Sequence, residues 1–231
     1  MISSQNKIIA GIVLVVLILG GCFAYYSTRA PGIPSRASLD GKPELQVAYD
    51  KALAAEKAIP SDKTNPLQYV IASSEWKTIG DFTNNPVWYR RALSVLQEGI
   101  TATKGTNSLL ITNAAVIATI SGDFETARAL YEQAIADAPG DGSYYTALAH
   151  LLSGKMHASQ ADVLKIYTRA IERVIGGADI IQDRALYFKS VGRYDDALKD
   201  YEQLKNSNII SAEKYADVLV EIKQLESSQP R

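Results

Sequence analysis

A thirteen-residue run that recurs later in the same chain restricts the fold more than any single motif does. Gly122-Asp123-Phe124-Glu125-Thr126-Ala127-Arg128-Ala129-Leu130-Tyr131-Glu132-Gln133-Ala134 returns as Gly192-Arg193-Tyr194-Asp195-Asp196-Ala197-Leu198-Lys199-Asp200-Tyr201-Glu202-Gln203-Leu204, seventy residues on. A middle copy lies in Tyr167-Thr168-Arg169-Ala170-Ile171, thirty-six residues after Tyr131 and thirty-four before Tyr201. A fourth, weaker copy falls on Ala92, Leu96, Gly99 and Ile100. A period near thirty-five residues means units that cannot bury their apolar faces alone and must stack on their neighbours.

The spacing inside a copy identifies the unit. Phe124, Ala127, Leu130, Tyr131, Ala134, Ile135 and Ala138 follow the three-four spacing of a helix with one buried stripe. Ala127 and Ala134 are small where two helices must approach closely, and Tyr131 is sized to fill the gap between successive hairpins. No alternating apolar and polar runs bounded by hairpin turns occur beyond the amino-terminal segment. The sequence predicts an all-α domain over 44–226, with helices at 43–58, 66–80, 86–103, 107–121, 124–137, 142–153, 159–175, 178–190, 194–206 and 209–226. The last of these sets Tyr215, Val218, Leu219, Ile222 and Leu225 against Glu213, Lys214, Asp217, Glu221 and Lys223, which suits an end cap with a wet outer face. Residues 29–43, with Pro31, Gly32, Pro34, Gly41 and Pro43, read as a semi-extended linker, and 227–231 as a disordered tail.

These residues resemble the tetratricopeptide repeat (TPR), a pair of antiparallel helices about 34 residues long. Gly122, Ala127, Tyr131, Ala134 and Pro139 match its second-helix half, Gly192, Ala197 and Tyr201 match again, and Tyr167 and Ala170 carry the middle copy. Trp76-Lys77-Thr78-Ile79-Gly80 looks like the family's Trp-x-x-Leu-Gly opening. The match covers roughly residues 66–208. It departs from the pattern at Leu204, which replaces a small residue, and in the longer turn from Ser153 to Ser159. Only Pro139 ends a repeat as the family does. The resemblance implies a right-handed superhelix, an α-solenoid of antiparallel helix pairs, whose first helices line a concave groove for a protein or peptide partner. Projected onto this chain, the groove-facing set is Thr112, Asn113, Val116, Thr119, Thr146, His150, Gln182, Leu186 and Lys189. The set is polar but barely charged. Family members that capture acidic chaperone tails use a clamp of Lys, Arg and Asn, and here only Lys189 and Lys77 are available for one.

Charge and composition narrow the function further. Lys plus Arg number 24 against 25 Asp plus Glu, so no basic field exists to hold a nucleic-acid backbone. One cysteine, Cys22, and two histidines, His150 and His157, leave no ligand set for a structural metal, and no cofactor is expected. There is no glycine-rich phosphate loop, Gly-x-Ser-x-Gly elbow or His-Glu-x-x-His. Asp195 and Asp196 suit the positive end of a helix dipole, and Gly176-Gly177 a helix stop. The expectation is a binding scaffold, not an enzyme. An enzyme or solute-binding protein is the competing class, and a ligand-sized apolar pocket would mark it.

The amino-terminal segment is of another kind. Ile8 to Thr28 carry no charge. As a helix, the stretch to Tyr26 would run roughly 28 Å, about the thickness of a bilayer's hydrocarbon core. Tyr25 and Tyr26 suit the headgroup layer, and Arg29 stops the run. Residues 1–28 therefore read as a single transmembrane anchor contacting the membrane through 8–28. It resembles an uncleaved signal sequence, with a cytoplasmic amino terminus and the soluble domain outside the membrane. Two alternatives stand beside it. Leu19-Gly20-Gly21-Cys22 resembles a bacterial lipoprotein box, which would make Cys22 an acylation site, and the segment also fits a cleaved secretory signal. An anchored repeat domain is similar to accessory subunits of bacterial export machinery and to envelope-assembly factors. The acylated form is similar to adaptors in pilus or outer-membrane assembly.

Overall fold

The computed structural model describes residues 32–228, and among them ten α-helices and no strand occur. The helices are α1 (Pro43–Ala58), α2 (Pro66–Thr83), α3 (Pro86–Ala102), α4 (Ser108–Ser121), α5 (Phe124–Asp137), α6 (Gly142–Gly154), α7 (Gln160–Arg173), α8 (Ala178–Ser190), α9 (Tyr194–Asn206) and α10 (Ala212–Ser228). The chain divides into two compact units, Met1–Gly99 and Ile100–Arg231, with the division in the last turn of α3. No helix among the described residues is long and apolar enough to cross a membrane. The anchor expected over 1–28, Cys22 included, lies outside the described residues.

In the first unit asparagine side chains start α2 and α3. Asn65 accepts from the Leu67 amide at 3.0 Å and Asn85 from the Val87 amide at 3.1 Å. A proline follows each asparagine at the first helical position, where its missing N–H costs no bond. The core gathers three rings. Trp76 stacks on Trp88 at 5.7 Å and 17°, and Tyr49 meets Trp76 edge-on at 5.1 Å. Glu56 closes this core with charge: one oxygen accepts from Trp76 Nε1 at 2.7 Å and from Arg91 Nε at 3.0 Å, while the other pairs with Arg91 Nη2.

The Trp76–Gly80 motif sits in the second half of α2, not at a helix start, and α2 runs past Gly80 to Thr83. Gly80 is there for closeness rather than for a turn. A Cβ on it would lie 2.8 Å from Cε1 of Tyr89, whose hydroxyl is held by Asp81 at 2.9 Å. The stop is Asn84, in the left-handed region at φ 50°. The stretch expected as a linker is partly docked. A short 3-10 turn, Arg36–Leu39, buries Leu39 completely, and the Tyr49 hydroxyl donates to the Pro34 carbonyl at 3.0 Å. Proline and glycine bar an α-helix there but do not prevent a lone leucine from packing.

The second unit builds its helices in hairpins, and the repeat residues do the same task in each. Gly122, at φ 82°, ends α4, and Asp123 caps α5 through the Thr126 amide. Gly192, at φ 76°, turns α8 into α9. Ala127, Ala134, Ala170 and Ala197 are fully buried, and Tyr131, Tyr167 and Tyr201 nearly so. The weaker fourth copy follows the rule, since Ala92, Leu96, Gly99 and Ile100 are all buried on α3. Pro139 is exposed, yet its carbonyl accepts from the Tyr145 hydroxyl at 3.0 Å. The same device appears in the first unit, where Tyr69 donates to the Lys63 carbonyl, again six residues back and at 3.0 Å.

Besides that of α2, three helix ends differ from the sequence expectation by two residues or more. Helix α7 stops at Arg173 instead of 175, because Val174 is extended and Gly176 takes φ 73°. Helix α10 starts at Ala212 instead of 209: Asn208 is left-handed at φ 57°, and Ser211 caps the helix through the Lys214 amide at 3.0 Å. It extends to Ser228, two residues past the expected helix end. Against α8 and α9 it buries Val218 and Ile222 in a cluster with Phe188, Tyr201 and Leu204, which explains why a leucine occupies the small-residue position 204.

Two stability effects are expected. Ala134→Phe should cost about 1–3 kcal/mol by overpacking a site with no free surface, read as a fall in denaturant midpoint. Glu56→Ala should cost about 1–3 kcal/mol, because it takes the acceptor from the buried Trp76 indole N–H, whereas an exposed carboxylate such as Glu125 should be near neutral.

Candidate functional site

The groove-facing residues expected from the sequence lie on α4, α6 and α8, all within the second unit. Helix α4, Ser108–Ser121, contains no Asp, Glu, Lys or Arg, as is also true of α6. Its buried stripe is Leu110, Ile111, Ala114, Ala115, Ile117 and Ala118. The opposite stripe is apolar too, with Leu109 51%, Val116 40% and Ile120 44% exposed. A helix that is apolar all round is ordinarily covered on all sides.

Between the two stripes Thr112 and Asn113 turn their polar atoms back on their own helix. The Thr112 hydroxyl donates to the Ser108 carbonyl and the Asn113 amide to the Leu109 carbonyl, both at 2.8 Å. Thr119 and Thr146 do likewise, to Ala115 at 2.9 Å and Ser143 at 3.0 Å. Burial raises the pKa of the Tyr131 phenol above its ordinary value, and Thr119 opposes that rise. Leu109, Thr112, Asn113 and Val116 form one wall of an open cleft of about 370 Å³, and Asp141, Ser143 and Tyr144 from the start of α6 form the other.

His150 belongs to a second group. Its Nε2 lies 2.9 Å from Asp183 Oδ1 on α8, and Asp183 Oδ2 accepts from the Tyr167 hydroxyl on α7 at 2.8 Å. One carboxylate thus ties three helices. The His150 ring remains 63% exposed, while Tyr167 is fully buried and cannot touch a ligand. The Asp183 carboxylate raises the His150 pKa, and burial together with the same carboxylate raises that of Tyr167. Gln182 and Leu186 are exposed on α8. Lys189 is not available: its ammonium pairs with Glu221 of α10 at 2.6 Å and its side chain is 13% exposed. Lys77, in the first unit, pairs with Asp81 at 2.6 Å. Both cations considered for an acid-binding clamp therefore carry a partner. No group of three or more His, Cys, Asp or Glu that could hold a metal occurs among the described residues.

Sequence reasoning missed Asp183, Asp141 and Tyr144. Asp183 sits thirty-three residues from His150, close to the repeat period, and that spacing was the available signal. No protein-family model matches the sequence, and neither does any curated protein. Among solved structures the chain is similar to a crystal structure of MamA, with 15% identity, a TM-score of 0.51, and coverage of 77% of this chain and 90% of that chain. A second MamA crystal structure gives the same identity and TM-score and covers 83% of this chain and 98% of that one. MamA is a TPR-like, all-helical protein. This chain has a TPR-like fold. At that identity the likeness speaks for the fold alone.

The raised pKa of His150 has a measurable consequence. Because the folded value lies above the unfolded one of about 6.5, the pair's contribution is complete below that pH and fades as pH rises through the folded value. An NMR titration should find His150 above about 6.5, and Asp183→Asn should lower it. An unchanged titration in that variant would mean that Asp183 does not hold the imidazolium.

Proposed function

We propose that this protein is a scaffold that binds a protein partner through the first-helix face of its second unit and is held at a membrane by residues 8–28. The observation that carries the binding is the uncovered apolar stripe of α4, Leu109, Val116 and Ile120, beside the α4–α6 cleft. In a TPR-like fold this is the side on which first helices meet a partner's segment. The polar groups beside the stripe are bonded to their own helix, so covering it leaves few hydrogen bonds to replace. The α4–α6 cleft is open rather than a closed apolar pocket, which favours a macromolecular partner over a solute there. The uncharged run from Ile8 to Thr28 supports the anchor, and with a cytoplasmic amino terminus the repeat units would act outside the membrane, in envelope assembly or export. Leu19-Gly20-Gly21-Cys22 favours one variant of this reading, a lipoprotein adaptor acylated at Cys22, and the mass of the mature amino terminus separates the two. We infer no catalytic role and no cofactor.

The test is site-specific photocrosslinking in cells. A benzophenone amino acid at position 116 of the full-length chain should give a discrete adduct, whereas one at Arg128, exposed on α5, should not. Deleting residues 1–30 should release the protein from membranes and reduce the adduct. Equal labelling at both positions would end the case for this face.

A further inference from the structure

Helices α8, α9 and α10 carry a core of their own. Ala185, Phe188, Tyr201, Leu204, Val218 and Ile222 belong to one buried cluster, and among the described residues packed against it Leu164 alone comes from α7. The connection into this module adds little cover. Val174 is extended, Ile175 is fully exposed, and Gly176 takes φ 73°.

Contact with the preceding hairpin changes character along α8. At its start Ile180 lies tight against Gly142 of α6, where a Cβ would stand 2.9 Å from the Ile180 Cδ1. At its far end the contact is open, and Gly154, His157, Tyr187 and Val191 border a cleft of about 420 Å³. Between these ends the tie is polar. Asp183 meets His150 of α6 at 2.9 Å with one oxygen and accepts from the Tyr167 hydroxyl of α7 at 2.8 Å with the other. A joint packed at one end, open at the other and tied by a carboxylate between them has the form of a hinge with a catch.

Of the three groups in the tie, His150 is the one whose charge changes near neutral pH. The phenols of Tyr167 and of Tyr187, whose rings lie 5.9 Å apart, are pushed up by burial and stay protonated. Among the described residues Asp183 is the charge that acts on the imidazole. Helices α4 and α6 hold no Asp, Glu, Lys or Arg. Arg169 of α7 is paired with Glu132 of α5, Arg184 of α8 with Asp200 of α9, and Lys189 of α8 with Glu221 of α10. Asp179, one turn before Asp183, and Lys155 and His157, just past α6, do not contribute, and neither does any charge on α5 or α7.

We propose that the α7–α8 joint is a hinge set by a proton: with His150 protonated the α8–α10 module is drawn against α6, and with His150 neutral it is freed to turn about the Ile180–Gly142 contact. A neutral imidazole still donates one hydrogen bond, so losing the proton weakens the catch rather than removing it. Because Asp183 raises His150 above the value of about 6.5 for a free imidazole, the catch is complete below that pH and fades as pH rises through the higher value. Helices α6 and α8 are the first helices of successive hairpins, so the movement alters the spacing between them.

Spin-label distances in the full-length protein in detergent, with Cys22→Ser, test this. One label pair, Lys165→Cys on α7 with Lys223→Cys on α10, spans the joint; a second, Gln203→Cys with Lys223→Cys, lies within the module, and all three positions are exposed. The spanning pair should show two distance populations whose ratio changes roughly two- to fivefold between about pH 5.5 and about pH 8, while the pair within the module stays constant. In His150→Gln, which keeps a donor without a charge at an exposed site, the ratio should hold its high-pH value throughout. Asp183→Asn should be equally insensitive to pH. A ratio that ignores pH with His150 in place overturns the proposal, and so does a pH step that survives His150→Gln, which would assign it to another group. Equal changes in both label pairs also overturn it, since the proton would then loosen the module itself and not its joint.

Discussion

Two helices laid side by side can cover only one face of each, and the close approach that makes this cover tight depends on residues without side-chain bulk. In the second unit Ala127, Ala134, Ala170 and Ala197 have no free surface, and in the first Gly80 lets the Tyr89 ring sit where a methyl group would be. The tyrosines follow from that. Once the helices of a pair are drawn together by small residues, larger rings can be buried beside them, as Tyr131, Tyr167 and Tyr201 are, and Tyr167 reaches Asp183 and Tyr187 of the next hairpin. Their hydroxyls then need partners, which is how Asp183 comes to be tied to Tyr167 and, through its second oxygen, to His150.

Charge is used sparingly and with geometric purpose. Arg184 reaches Asp200 through two bonds of 2.9 and 2.6 Å while its guanidinium lies 5.8 Å from the Phe188 ring, so a nearly buried carboxylate is neutralised where α8 meets α9. Arg169 spans from α7 to Glu132 on α5 at 2.7 Å and covers the Tyr145 ring at 5.4 Å. Helix α4 takes no part in this. Its outer stripe of Leu109, Val116 and Ile120 is apolar yet exposed, and that makes its face stand out.

The periodic part of the fold was legible before any coordinates. Alanine and tyrosine at fixed offsets report packing that depends on local spacing, and the positions found that way are buried where expected. Helix ends were less legible. Gly80 looks like a terminator in sequence, and only the neighbouring Tyr89 explains why it lies inside a helix; Ile209 and Ile210 look helical until Asn208 is seen in the left-handed region. Leu39 was hidden in a segment whose prolines and glycines spoke louder. The candidate site was legible as a face but not as a set of partners. Lys189 reads as a free cation because Glu221 lies on the last helix, and His150 reads as a lone histidine because its carboxylate belongs to another hairpin.

The polar bridges share one more property. Glu56 with Arg91, Glu132 with Arg169 and His150 with Asp183 are separated by 35, 37 and 33 residues, about one repeat each. No bridge described here needs more chain than that. As the polypeptide leaves the ribosome, each hairpin can close its bridges as soon as the next one has emerged, without waiting for a distant segment. Such order shortens the time for which the unpaired apolar stripe of any one hairpin is exposed during synthesis, a protection that a sheet built from distant strands does not have.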